Sequence, residues 1–161
     1  MTMCARVYGL ETVSRRYFNI FGPHQDARSQ YSGVLARFIS QMLRQDSPII
    51  FGDGETSRDF THVDNVVFAN LLAAKAPRTV SGKVFNVGTG RGVTLLQAVE
   101  SIRALVGYPG KPVFSPERVG DIKHSVADIS LTREQLGYHV ATDFENGIAG
   151  TIEWCKGFQK S

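Results

Sequence analysis

The chain is poor in the residues that build disulfide frameworks and metal sites. It carries 2 cysteines, Cys4 and Cys155, near opposite ends of 161 residues. Two such distant thiols make no framework, and a reducing, cytoplasmic setting is expected. His24, His124 and His139 lack ligand spacing. His62 and Asp64 are expected to point to opposite faces of an extended segment, so metal binding is not expected. No apolar run is long enough to cross a membrane and nothing reads as a signal peptide, so neither spanning nor export is indicated. A Gly-x-Ser-x-Gly elbow is missing and neither cysteine has a neighbouring base, which leaves nucleophilic hydrolysis unsupported. The net charge of +3 is scattered, and Arg15-Arg16 is its longest basic run. A nucleic-acid module therefore has only a basic isoelectric point, about 9.0, in its favour.

What is present is ordinary for a globular chain: 42% apolar and 20% charged residues, enough for one domain with a core. Met1 to Tyr8 reads as the last turns of a helix closed by Gly9. Thr12 to Phe21 is β-branched and aromatic and reads as one strand, stopped by Gly22-Pro23, with Arg15 out of place if both faces are buried. His24 to Tyr31 is a polar loop. Val34, Leu35, Phe38, Ile39, Met42 and Leu43 mark one helix face, begun at Ser32 or Gly33 and ended by Asp46-Ser47-Pro48. Ile49 to Phe51 is a short strand. A second follows at Phe60 to Val63, and Asp64 is the expected N-cap of a helix from about Asn65 to Ala76. Val84 to Val87 and Pro112 to Ser115 are further strands. A helix starts at Thr94, where Thr94 and Gln97 have capping-box spacing, and stops at Gly107. Ser130 is expected to cap a short helix. Thr142 and Glu145 form a second capping-box pattern before a helix with Phe144, Ile148, Ile152 and Cys155 inside. The expected class is α/β, with about five short strands and five helices.

Three places invite chemistry. Gly88-Thr89-Gly90-Arg91-Gly92 lies between a strand and a helix, where a dinucleotide loop would sit. Val93 replaces the glycine that close helix packing requires, so a tight turn fits better. In Gly52-Asp53-Gly54-Glu55-Thr56-Ser57-Arg58-Asp59-Phe60, Arg58 could meet a phosphate or carboxylate with its fork. Local pattern leaves a solvated Arg58–Asp59 turn pair equally open. Arg58 and Arg118 on separate loops could clamp a diphosphate, and Asp121 could accept from ribose hydroxyls, if the fold brings them together.

Blocks in a fixed order carry a resemblance. They are Arg16-Tyr17-Phe18-Asn19-Ile20-Phe21-Gly22-Pro23, Tyr31-Ser32-Gly33-Val34, Gly52 to Phe60, Phe85-Asn86-Val87-Gly88-Thr89-Gly90, and Gly120-Asp121-Ile122-Lys123-His124-Ser125-Val126-Ala127-Asp128-Ile129. Together they resemble the C-terminal half of extended short-chain dehydrogenases, the NAD-dependent epimerase/dehydratase family, and most of all its UDP-glucose and UDP-N-acetylglucosamine 4-epimerases. The resemblance implies the last sheet strands and small substrate lobe of a Rossmann-type fold. It implies one unit, residues 1–161, in which the glycine-rich NAD strand and the catalytic Tyr-x-x-x-Lys helix are absent. The family oxidises the sugar C4 hydroxyl with NAD and returns the hydride to the other face, so this chain alone is expected to be inactive and unable to hold NAD. Exposed strand edges and an apolar face are expected around the Thr12 and Val84 strands.

By motif match, Tyr17 and Phe18 would border the nicotinamide, and Asn19 would hold the substrate near its diphosphate. Gly33 and Val34 would line the nucleotide site. Ile49, Ile50 and Phe51 would flank the uracil. Arg58 and Arg118 would bind the diphosphate, and Asp121 the uridine ribose. Ser125 is small where hexose-restricted relatives tend to be bulky, which resembles enzymes that accept N-acetylhexosamines. A nucleotide-sugar dehydratase or decarboxylase and a non-catalytic UDP-sugar binding module share most of these blocks. The partner implied is a UDP-sugar, without nucleic acid or membrane, and full-length members of the family usually form homodimers.

Overall fold

The computed structural model describes residues 2–26, 29 and 33–158. Tyr31 and Ser32, part of one matched block, lie outside the described residues, as does Met1. Within them the chain forms six α-helices and nine short strands, more strands than the sequence suggests.

Three helices enclose the main core. α2 (Val34–Leu43) buries Leu35, Phe38, Ile39 and Met42, the stripe its periodicity predicts. α4 (Leu95–Val106) is capped as its sequence implies. The Thr94 hydroxyl accepts from the Gln97 amide at 3.1 Å, and the Gln97 side chain accepts from the Thr94 amide at 2.9 Å. Gly107 closes it in the left-handed region at φ 75°, where a side chain would be strained. α6 (Phe144–Phe158) turns Phe144, Ile148 and Ile152 inward against both.

Two other caps differ from expectation. α5 (Ser130–Leu136) is not capped by the Ser130 side chain; the Asp128 carboxylate accepts from the Ser130 amide at 2.9 Å. At the start of α6, Asp143 accepts from the Asn146 amide at 2.8 Å, and Glu145 pairs with Arg91 instead. A carboxylate placed just before a helix outcompetes a nearby hydroxyl for its free amides. The α3 start also moves. α3 (Val63–Lys75) takes His62, not Asp64, as its N-cap. Helix therefore begins between His62 and Asp64, with Nδ1 3.2 Å from a carboxylate oxygen of Asp64; the expectation of opposite faces fails, and residues two apart would share a face in an extended strand as well.

The expected strand from Thr12 to Phe21 is two strands. β1 (Ser14–Tyr17) pairs in parallel with β6 (Val84–Val87), and β2 (Ile20–Phe21) pairs in parallel with β5 (Thr61–His62). The break falls at Asn19, whose φ is 27°, a region asparagine tolerates better than most residues. The Phe18 amide still bonds Val87, whereas the Asn19 carbonyl already accepts from Thr61. The chain changes partners in one residue, and Asn19 makes the step. β3 (Ile49–Phe51) pairs in parallel with β8 (Val113–Ser115). β4 (Ser57–Arg58) lies between antiparallel β7 (Val93–Thr94) and parallel β9 (His124–Ser125). α1 (Thr2–Tyr8) buries none of its residues. Met3, Val7, Tyr8 and Leu10 are exposed, as are Tyr17 on β1 and Val84 on β6.

Arg58 and Asp59 are not a solvated turn pair. Asp59 is fully buried. Its Oδ1 accepts from the Thr89 amide at 2.8 Å and the Thr89 hydroxyl at 2.7 Å. Its Oδ2 accepts from the amides of Gly90 at 2.9 Å and Ala127 at 3.1 Å. The glycine-rich turn thus presents its N–H groups to a side chain of the same molecule. Gly88 permits the approach: a Cβ there would lie 2.5 Å from Ala127 Cβ and 2.7 Å from Asp59 Oδ2.

The hydroxyl of buried Tyr138 donates to the Gly88 carbonyl at 2.8 Å. Burial, helped by the Asp59 charge, pushes this phenol up from 10.0 to about 12. Between those values the folded state keeps a proton that the unfolded chain has lost, so stability falls as pH rises. We expect wild type to lose about 2 kcal/mol across that window that Tyr138→Phe keeps. Urea unfolding of both proteins at stepped alkaline pH checks it. Parallel curves would show that other groups set the alkaline limit.

Candidate functional site

A cleft of about 540 Å³ opens beside α2 and β3. It gathers residues far apart in sequence. Asn19 comes from the β1–β2 break, Val34 from the first turn of α2, and Ile49 and Phe51 from alternate positions of β3. Arg58 enters from β4, and Arg118 and Asp121 enter from the segment between β8 and β9. The convergence that the two arginines and Asp121 needed is therefore present.

Arg58 is only 17% exposed at its side chain and is already engaged. Its Nη1 donates to the carbonyls of Ser57 at 2.9 Å and Ile122 at 2.6 Å. Its Nη2 stands 3.5 Å from Asp121 Oδ1. A guanidinium has five N–H donors, so Nη2 and Nε remain for an anion in the cleft. The Arg118 guanidinium carbon sits over the Phe51 ring, 3.9 Å from its centre, a cation–π contact that holds the charge at the cleft wall.

The backbone of β3 adds a second recognition surface. Its ladder with β8 uses the Pro48 carbonyl and the Gly52 amide. In a parallel pair the intervening residues Ile49 and Phe51 then direct their N–H and C=O groups to the edge away from β8. Among the described residues no strand pairs with that edge, which can meet a planar group carrying its own donors and acceptors.

Some expected site residues fall elsewhere. Ile50 is fully buried in the main core, because successive strand side chains face opposite ways; it cannot flank a ligand with its side chain. Gly33 precedes α2 and is exposed without lining the cleft. Phe18 packs with the smaller core around Val66 and Val87, and the Tyr17 hydroxyl donates to Asn70 at 2.9 Å. Ser125 pairs with Arg58 through β9 and is half-buried beside the cleft rather than among its lining. Sequence reasoning missed Arg37, Gln41, Thr56 and Leu95, which do line it. Val34, Arg37 and Gln41 stand three and four residues apart, a helical stripe adjoining the buried one and visible in principle.

A larger hollow of about 640 Å³ lies between α2 and α6. Phe21, Leu35, Ile39 and Leu43 line it together with polar residues such as Asp26, Ser40 and Arg44, and it holds none of the converging residues. Among the described residues no group of three or more His, Cys, Asp and Glu is placed to hold a metal ion, and no helix is long and apolar enough to cross a membrane.

The profile of the NAD dependent epimerase/dehydratase family matches residues 1–88. The chain belongs to that family. It is 36% identical over 154 residues to a UDP-glucose 4-epimerase of Mycolicibacterium smegmatis, covering 96% of this chain and 48% of that protein. Among solved structures it resembles a UDP-glucose 4-epimerase of Thermotoga maritima determined with UDP-glucose, at 40% identity and a TM-score of 0.92, over 98% of this chain and 50% of the other. A UDP-N-acetylglucosamine 4-epimerase from Methanobrevibacter ruminantium, in complex with UDP-N-acetylmuramic acid, is similar at 38% identity and a TM-score of 0.90, over 97% and 49%. The chain spans about half the length of the relatives it matches. For an epimerase-family chain, the turn at Gly88 to Gly90 offers no cradle to a dinucleotide, since Asp59 already occupies its amides.

Proposed function

We propose that the cleft binds the nucleotide diphosphate of a UDP-sugar and that the chain supplies the substrate-binding portion of an NAD-dependent UDP-sugar 4-epimerase. The observation that carries this reading is the meeting of Arg58, Arg118 and Asp121 beside the open edge of β3. Arg58, through Nη2 and Nε, and Arg118 take the diphosphate oxygens, where charge-assisted bonds are strongest. Asp121 accepts from the ribose hydroxyls. The backbone groups of Ile49 and Phe51 meet the alternating acceptors and donor of uracil, with their side chains and Val34 against the ring. Asn19, stationed at the change of sheet, holds the substrate near the diphosphate. Ser125 beside Arg58 leaves room for an acetamido group, so a UDP-N-acetylhexosamine is the preferred sugar.

NAD, when bound, accepts the sugar C4 hydride and returns it. This chain's part toward it is limited to Tyr17 and Phe18 at the nicotinamide border. No Tyr-x-x-x-Lys pair lies in the 161 residues, so the chain alone is expected to bind substrate without converting it.

Titration calorimetry of the full chain with UDP-N-acetylglucosamine and UDP-glucose tests the reading. Arg58→Ala is expected to weaken binding by about ten- to a hundredfold, the scale of lost charge-assisted hydrogen bonds. Arg58→Lys recovers little, because one ammonium cannot grip the Ile122 carbonyl and an anion together. A folded wild type that gives no heat at millimolar ligand overturns the proposal.

A further inference from the structure

The segment from Pro116 to His124 carries two of the cleft residues, yet every residue in it is exposed. Val119 buries nothing and Ile122 is 66% exposed. Apolar packing therefore does not hold this strap against the body, and polar contacts must. They cluster near its C-terminal end, where Arg58 also reaches Asp121 and the Ser57 hydroxyl meets His124 Nδ1. The Arg58 guanidinium grips the Ile122 carbonyl. The Ser57 amide donates to the Lys123 carbonyl at 2.8 Å. The Lys123 ammonium lies 2.9 Å from Asp53 Oδ2.

The last contact stands apart from the others. Asp53 and Lys123 are outside the cleft lining. Asp53 sits in the turn after β3, and its Oδ1 accepts from the Glu55 amide at 2.9 Å. That bond fixes the carboxylate on a turn held between two strands. Lys123 is two residues from Asp121 and immediately precedes β9. The pair thus joins the rigid turn to the strap at the point where the strap turns back into the sheet.

We propose that Asp53 and Lys123 are positioning residues: their ion pair seats the strap so that Arg118 and Asp121 face the anionic ligand of the cleft. The proposal rests on the nucleotide-diphosphate reading above and adds a role for two residues that reading does not use. The hydrogen bond to Lys123, the largest influence on Asp53, holds its carboxyl below the usual range, and the same bond raises Lys123. Both groups are therefore charged across neutral pH. Glu117 and Glu55 lie close enough to reinforce the lysine charge, so reversing the pair would create repulsion, and conservative variants are the better probes.

Two measurements on the full chain test it. Amide hydrogen exchange over residues 116–123, without ligand, reads strap seating. It is expected to quicken by about two- to fivefold in Asp53→Asn and Lys123→Gln, the scale of an exposed ion pair, and to stay at the wild-type rate in Lys123→Arg. The double variant Asp53→Asn/Lys123→Gln is expected to be no faster than either single one. Titration with UDP then reads the consequence, with affinity falling by about the same factor and recovering in Lys123→Arg. Unchanged exchange in both single variants overturns the proposal. So does faster exchange with unaltered UDP affinity. A wild type that ignores UDP removes the reading of the cleft, whereas a binding wild type with unaffected variants removes only the role of the pair.

Discussion

Asp59→Ala is expected to lower the unfolding free energy by about 5 kcal/mol, from three amides that lose their buried carboxylate acceptor at about 1–3 kcal/mol each. The amides are those of Thr89, Gly90 and Ala127. Water cannot easily replace the carboxylate, because Asp59 is wholly enclosed and the Gly88 backbone presses against it. Domains of this size are stable by only about 5–15 kcal/mol, so the variant is expected to melt about 10–20 °C below wild type. Asp59→Asn keeps one acceptor but turns two N–H donors toward amides, and should fall between the two. Added formate, a small carboxylate, should restore part of the loss in the alanine variant and none in wild type. An alanine variant within about 1 kcal/mol of wild type would show that the turn finds other partners.

Asn65→Leu is the second large loss, about 4 kcal/mol. Asn65 is fully buried at the start of α3. Its side-chain nitrogen donates to the Thr142 carbonyl at 2.6 Å, and its oxygen accepts from the amides of Ala141 at 2.8 Å and Thr142 at 3.0 Å. One amide group thus satisfies three backbone groups of the segment leading into α6, and leucine of similar size satisfies none. Asn65→Asp discriminates the cause. A carboxylate oxygen would oppose the Thr142 carbonyl, so that variant should gain stability as falling pH protonates it. Chemical unfolding across acid and neutral pH measures both variants. A leucine variant as stable as wild type would mean that packing, not hydrogen bonding, fastens α6.

These two residues mark where reading the sequence stops. The helices were legible because their signals are local: the buried stripe of α2, and the Thr94–Gln97 box, which spans three residues. Asp59 meets its partners 30 to 68 positions away, and nothing in Arg58-Asp59 announces that distance. The strands were misjudged for the same reason. β-branched residues run on from Thr12 to Phe21, but the sheet partner changes at Asn19, and the partners lie far downstream. In the cleft, local pattern left Arg58 ambiguous; the ordered blocks of family resemblance placed it with Arg118 and Asp121. Alternation along β3 already separates Ile50, a core residue, from Ile49 and Phe51. Arg37 and Gln41 were equally within reach through helical spacing from Val34.

The divided grip of Arg58 has a bearing on any measured dissociation constant. One nitrogen of its fork grips the Ile122 carbonyl of the strap and the other stands 3.5 Å from Asp121, a strap residue that lines the cleft, so ligand affinity and strap occupancy are a single composite quantity. An observed constant equals the intrinsic one divided by the fraction of molecules whose strap is in place. Ionic strength then enters twice, by shielding the ligand's phosphates and by lowering that fraction through the exposed Asp53–Lys123 pair. Two laboratories using different buffers would report different constants for one ligand, while the ranking of ligands that share the diphosphate stayed the same.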